Sequence, residues 1–261
     1  MRHVLVLADS LAFHGPQRPE LLTEPRLYPN VLAAELSARL GEPFQADVVA
    51  RLGATARDAW WWLTKDPHLY STLLPRADAV VLGLGNFDQL PEILPTYLRE
   101  GIAYLRPGWL RRRVRRAHLA LHPHGVRWVT RGRLRALPQV ATDHFLARSL
   151  AGIRHYRPGV PVAGFVPYTH RSAYHAHNRW GFERAQRAAR TWGLRYDVPM
   201  LELWPLVRPD LEAGRLNPDG MHFSWDVHRA VGAGLAELLV PLLRPANSPR
   251  SPEPGDTSVL P

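Results

Sequence analysis

Val4-Leu5-Val6-Leu7-Ala8-Asp9-Ser10-Leu11 is an apolar run that breaks on two polar residues. Consecutive large apolar side chains predict a strand covered on both faces, as strands of parallel sheets are. The chain must turn where the run ends, and in an open parallel sheet that carboxyl end is where ligands bind. Ser10 stands there. Far along the chain, Asp219-Gly220-Met221-His222 supplies a carboxylate and an imidazole three residues apart. A serine hydroxyl is a weak nucleophile until a base takes its proton, and that base needs a partner to fix its tautomer. Ser10, His222 and Asp219 meet this need as nucleophile, base and orienting carboxylate.

Four further apolar runs follow the first, so strands are expected over residues 3–7, 44–50, 79–84, 160–166 and 198–203. Amphipathic stretches lie among them at 30–40, 55–63, 140–156 and 182–192. Alternation of strands and helices predicts an α/β fold with a doubly wound parallel sheet. Thr55, three residues before Asp58, reads as a helix cap, and Ser224 reads as the cap of a last helix ending near Leu243. The span from about 91 to 137 interrupts the alternation and is rich in arginine and tryptophan. Placed at the site end of a sheet, such an insertion is expected to act as a lid or cap. The chain is thus read as one domain over 1–244, followed by a tail over 245–261 whose Pro-, Ser- and Gly-rich composition cannot build a core. No internal repeat is present.

The composition of 261 residues, 46% hydrophobic and 21% charged, suits a globular protein with a substantial core. With no cysteine, disulfides, thiolate catalysis and cysteine-ligated zinc are excluded. The chain enters a strand at once and no apolar run approaches a membrane span, so a cytoplasmic location is expected. A net charge of +10 points to anionic partners such as acyl-CoA phosphates, although Lys65 is the only lysine and an arginine bias explains the sign equally well. No nucleic-acid motif is present, and contact with a membrane surface is not expected. His122-Pro123-His124 and His175-Ala176-His177 lack zinc-like spacing with a third ligand nearby, so no metal is expected. His228 reads as a surface residue of the last helix.

Ala8-Asp9-Ser10 near the start and Asp219-x-x-His222 before the last helix resemble the first and last blocks of the SGNH (GDSL-type) hydrolases. The resemblance implies a flavodoxin-like three-layer sandwich with a five-stranded parallel sheet. It implies Ser10, His222 and Asp219 as the triad, with the backbone N–H groups of Ser10 and Gly53 in the oxyanion hole. Asp9 is then a local turn former. The third block departs from the usual Gly-x-Asn-Asp. Gly85-Asn86-Phe87-Asp88 puts Phe87, which has no donor, at the asparagine position if Asp88 is the block's aspartate. Either Asn86 reaches the site through a one-residue shift of the loop, or backbone groups carry more of the oxyanion.

A closer likeness lies in Gly53 through Arg57-Asp58-x-Trp60-Trp61, in Leu98-Arg99-Glu100 through Trp109-Leu110-Arg111-Arg112, and in Asn217-Pro218-Asp219-Gly220-x-His222. These segments resemble the actinobacterial diglucosylglycerate octanoyltransferases over roughly residues 3–243. The likeness implies transfer of an octanoyl group from octanoyl-CoA to a hydroxyl of diglucosylglycerate, without a further cofactor, toward methylglucose lipopolysaccharide. Trp60 and Trp61 would offer aromatic surface to an acyl chain or sugar face. Arg111, Arg112, Arg113, Arg115 and Arg116 would grip CoA phosphates, which arginine binds bidentately. A carboxylester hydrolase sharing the same acyl-enzyme, and a basic binding module on an inactive fold, are the alternatives.

Overall fold

The structure is a computed structural model that describes residues 1–244; the tail expected over 245–261 lies outside them. Five strands, β1 (Arg2–Ala8), β2 (Phe44–Ala50), β3 (Ala79–Gly83), β4 (Val162–Val166) and β5 (Met200–Glu202), form one sheet. Its order is β2-β1-β3-β4-β5, and every pairing is parallel. The helices are α1 (Tyr28–Leu40), α2 (Ala56–Lys65), α3 (Leu74–Arg76), α4 (Thr96–Gly101) and α5 (Gly108–His124). They continue with α6 (Gln139–Tyr156), α7 (Phe182–Tyr196), α8 (Leu203–Glu212) and α9 (Trp225–Leu243).

Successive side chains of a strand point to opposite faces, and β1 uses both. Val4, Val6 and Ala8 pack into a core shared with α1, α8 and α9, while Leu5 and Leu7 pack into a second core with α2 and α6. All five side chains are fully buried, and burying each large one stabilises the fold by about 1.5–3 kcal/mol. The three-layer sandwich expected from the resemblance is therefore the observed architecture. Chain order reverses between β1 and β3, which makes the crevice beyond their carboxyl ends the switch point of the sheet.

Several local expectations hold in detail. Thr55 caps α2 through a reciprocal box with Asp58, whose Oδ2 accepts from the Thr55 N–H at 2.7 Å. Ser224 caps α9 by accepting from the Val227 N–H at 3.1 Å. Others are corrected. β4 starts at Val162, because Pro161 has no N–H to give to a ladder. β5 is three residues long because the chain turns at once into α8, a helix whose two prolines, Pro205 and Pro209, conceal it in the sequence. His228 is not on the surface. It is completely buried, accepting from the Tyr28 N–H at the start of α1 through Nδ1 and donating from Nε2 to the His14 carbonyl. Burial holds its pKa down at about 4, so it stays neutral in this role.

Between β3 and α6 the chain leaves the sandwich and returns. Pro91 and Arg135 form an antiparallel bridge at the base of this excursion, flanked by Glu92 N–H to Leu134 carbonyl and Ala136 N–H to Leu90 carbonyl bonds. Among the described residues, no helix is long and apolar enough to cross a membrane.

Asp88 fixes the loop after β3 by accepting from the Ala56 N–H at the start of α2, at 3.1 Å to each oxygen. Its burial raises the carboxyl pKa from 3.8 to about 8, against the pull of the Ala56 and Thr142 donors. The folded chain therefore holds one proton more than the unfolded chain between these two values. Stability contributed by that proton is full below about pH 4 and is lost as pH rises through about 8. Asp88→Asn keeps an acceptor for Ala56 and removes the titration. Calorimetry should find its melting point above that of the parent at about pH 9 and equal to it at about pH 4. An equal shift at both values would refute the buried-proton account.

Candidate active site

The loops after β1 and before α9 meet at the switch point and bring three side chains into one chain of hydrogen bonds. Ser10 Oγ lies 2.8 Å from His222 Nε2, and His222 Nδ1 lies 2.5 Å from Asp219 Oδ2. Asp219 Oδ1 accepts from the backbone N–H groups of Met221 at 2.8 Å and His222 at 3.0 Å. Burial opposes the Asp219 charge, yet the His222 hydrogen bond, the imidazolium charge and these two N–H donors bring its pKa down to about 2. An ionised Asp219 accepts only, so Nδ1 of His222 carries the proton and Nε2 presents its lone pair to Ser10.

The sequence around the motif explains how the loop holds this shape. Gly220 adopts φ +72°, and a Cβ there would lie 2.7 Å from the Arg171 carbonyl group. Asn217 ties the two loops together, accepting from the Asp219 N–H at 3.0 Å and donating to the Gly15 carbonyl at 3.2 Å. Tyr168, just past β4, donates its hydroxyl to the Met221 carbonyl. The His222 ring is stacked on His14, with centroids 3.8 Å apart and planes 17° off parallel. Burial and the His222 charge together lower the pKa of His14. Asn217 stands within a quoted motif, but no site role was read for it, for His14 or for Tyr168 in the sequence.

Asp9 is the turn former expected. Its Oδ1 accepts from the Leu11 N–H at 2.9 Å, and burial raises its pKa to about 6 despite that bond. Ser10, Gly53 and Asn86 line one cavity of about 360 Å³ together with His222. Gly53 takes φ +67°, a backbone conformation that favours glycine, and a Cβ on it would press on the Phe87 ring at 3.3 Å. Among the described residues, the N–H groups of Ser10 and Gly53 have no protein acceptor. Asn86 Oδ1 accepts from the Tyr168 N–H at 3.1 Å, which leaves Nδ2 as its unused donor on the cavity wall. The loop thus brings both Asn86 and Phe87 to the cavity, the latter with its ring over Gly53 and under the Arg99 guanidinium.

Two expected groups lie elsewhere. Trp60 and Trp61 are absent from the cavity lining. The buried face of α2 is Ala56, Ala59 and Leu63, which leaves Trp60 under the Arg148 guanidinium at 4.3 Å and Trp61 57% exposed. Arg111, Arg112, Arg113, Arg115 and Arg116 lie on α5 and do not line the cavity; the last four are exposed, and none is ion-paired among the described residues. What the insertion does give the cavity is Glu92, Arg99 and Glu100.

Glu92, His118 and His122 place one potential ligand atom each within 4.8 Å of one another, the one group of its kind among the described residues. Glu92 already holds Arg99 at 2.7 Å and His122 at 3.0 Å, and its pKa is lowered by these partners against burial. Glu92 and His122 are thus bonded within a polar network, while His118 meets the Tyr174 hydroxyl through Nε2 at 3.3 Å and its Nδ1 has no protein partner among the described residues. The separation of 26 residues between Glu92 and the nearer histidine hid the cluster from a reading based on local spacing.

The chain is 37% identical over 246 residues to the diglucosylglycerate octanoyltransferase of Mycolicibacterium hassiacum, covering 94% of this chain and 96% of that protein. It is 35% identical over 252 residues to the enzyme of the same name from Mycobacterium tuberculosis, covering 97% and 96%. The chain belongs to the diglucosylglycerate octanoyltransferase family. No family model matches it. Among solved structures, a lipase/acylhydrolase from Enterococcus faecalis superposes with a TM-score of 0.59 at 15% identity, over 95% of this chain and all of that one. That likeness speaks for the fold alone, which is the SGNH hydrolase fold expected from the end blocks.

The placement of Asn86 yields a direct test. If its Nδ2 serves the oxyanion, Asn86→Ala should lower kcat by about a hundredfold, the usual loss for one such donor. A loss below about tenfold would mean that the Ser10 and Gly53 N–H groups suffice.

Proposed function

We propose that this chain transfers an octanoyl group from octanoyl-CoA to a hydroxyl of diglucosylglycerate through an acyl-enzyme on Ser10, toward methylglucose lipopolysaccharide. The Ser10–His222–Asp219 chain of hydrogen bonds carries this reading, set as it is in a cavity with Leu11, Leu52, Phe87, Leu90 and Met221 in its lining. The activity named for the relatives supplies the substrate class.

In the first half-reaction Ser10 Oγ attacks the thioester carbonyl while His222 Nε2 takes the hydroxyl proton. The resulting oxyanion faces the Ser10 and Gly53 N–H groups and Asn86 Nδ2. As the C–S bond breaks, His222 returns the proton to the departing CoA thiolate. In the second half-reaction His222 takes a proton from an acceptor hydroxyl, whose oxygen attacks the octanoyl ester. Ser10 regains the proton as its C–O bond breaks. Throughout, Asp219 holds the imidazole tautomer and balances the imidazolium charge. The apolar lining suits an acyl chain and limits water, the competing acceptor. The exposed arginines of α5 are assigned to the CoA phosphates outside the cavity.

Two experiments test this. Incubated with octanoyl-CoA and diglucosylglycerate, the protein should yield octanoylated acceptor by mass spectrometry, and Ser10→Ala should yield none. Rapid hydrolysis with no transfer would put a carboxylester hydrolase in its place. Replacing Arg112, Arg113, Arg115 and Arg116 with glutamine should raise KM for octanoyl-CoA and spare a short nitrophenyl ester. Added salt should mimic the replacement, since exposed charges are screened over about 8–10 Å. Equal losses on both substrates would make the helix structural.

A further inference from the structure

One part of the cavity lining consists of polar groups for which the acylation of Ser10 has no use. Glu92, Arg99, Tyr174 and His175 supply it. Glu92 is 1% exposed and receives Arg99 Nη1 at 2.7 Å on one oxygen and His122 Nε2 at 3.0 Å on the other. His122 donates its second N–H to the Tyr174 carbonyl at 2.9 Å and lies flat on the Tyr174 ring, with centroids 4.0 Å apart. The network fixes Arg99 within the insertion and ties Tyr174 to it.

His175 is held just as firmly. Its Nδ1 donates to the Pro91 carbonyl at 2.8 Å, at the base of the insertion. Burial keeps the ring neutral, with a pKa down at about 4. Nε2 must then carry the lone pair, and among the described residues it has no protein partner. The side chain is 1% exposed and still lines the cavity. A fixed, neutral acceptor of this kind has nothing to receive from an octanoyl chain. A hydroxyl group satisfies it. Arg99 adds the complement, since its N–H groups other than the one on Glu92 have no protein acceptor among the described residues. Sugar hydroxyls both donate and accept, and this lining offers an acceptor and donors in one place.

We propose that His175, with Arg99 and Glu92, forms the subsite for a polyhydroxylated acceptor, with Nε2 of His175 accepting from one of its hydroxyls. This rests on the acyl-transfer reading above. His175 is a specificity-determining residue here, acting on the second half-reaction and not on the thioester.

His175→Asn is the decisive variant, because an asparagine amide N–H can stand in for Nδ1 at Pro91 while the Nε2 edge is deleted. The octanoyl-enzyme is formed from octanoyl-CoA, and its partition between water and acceptor is read by mass spectrometry with glucosylglycerate, glucose or glycerol. The variant should lower capture by the polyols relative to water by about tenfold through a raised acceptor KM, the effect of one lost hydrogen bond. Capture by 1-butanol relative to water should remain at the parental ratio. Parental partition and parental acceptor KM for the polyols would overturn the subsite, as would an equal loss for butanol. Should the variant not fold, nitrogen-15 NMR of histidine in Ser10→Ala protein provides the same decision. Saturating glucosylglycerate or glycerol must shift the Nε2 resonance of His175, and an unmoved resonance overturns the proposal. A parent that acylates glycerol or glucose and never glucosylglycerates would refute the functional reading while leaving this subsite standing.

Discussion

The hydrogen bond between His222 Nδ1 and Asp219 Oδ2 is the contact on which the rest of this site depends. Without a partner at Nδ1, an imidazole distributes its proton between two nitrogens and turns about its own bond. The loop spends its polar groups on preventing this. Two N–H groups hold Asp219, Asn217 fastens the loop to Gly15, the Tyr168 hydroxyl fastens it to β4, and His14 covers one face of the ring. His228 then anchors His14 from below by bonding its carbonyl, and the same ring satisfies the first N–H of α1. A buried histidine in the last helix thus serves the site without touching it.

The sheet supplies what these loops cannot. Because β1 and β3 are neighbours at the switch point, the turn bearing Ser10 and the turn bearing Asn86 open into one crevice. β2 is paired on the other side of β1 and delivers Gly53 to the same rim. Three chain segments far apart in sequence therefore bring N–H donors without a protein acceptor among the described residues to the lining of one cavity. The fold makes this placement automatic, which is why short blocks at fixed places in the strand order are informative when each alone is not.

Legibility followed the range of the forces involved. Strand and helix positions come from local periodicity and caps, and the Thr55–Asp58 box and the Ser224 cap could be read residue by residue. The meeting of Ser10, His222 and Asp219 could be read because they sit at strand and helix ends that the topology brings together. Side-chain direction on a helix was not accessible: Trp60 and Trp61 follow Gly53 closely, but α2 turns Ala56, Ala59 and Leu63 inward instead. His228 looked like a surface residue because its partners, Tyr28 and His14, are about 200 residues away. The loop after β3 held its ambiguity for a different reason. Phe87 and Asn86 are adjacent, both reach the cavity, and only the Tyr168 N–H, itself on β4's exit loop, decides which way the amide lies.

Acyl transfer and hydrolysis differ only in which hydroxyl reaches the acyl-enzyme, so selection between them belongs to the surroundings of Ser10. Two physical requirements follow. Water must find few partners near the ester, and the acceptor must find many. Leu11, Phe87 and Met221 around Ser10 suit the first, and the proposed subsite, to which the insertion contributes Glu92 and Arg99, suits the second. A hydrolase that needs only an acyl pocket could carry apolar residues in place of Glu92, Arg99 and His122 together, since a buried ion pair adds little to stability over a well-packed apolar substitute. The presence of Glu92 on the cavity wall, aligned by Arg99 and His122, makes sense where a polar molecule must be received there. The departure of this chain from a plain esterase is therefore sought in the insertion between β3 and α6, and not in Ser10, His222 and Asp219.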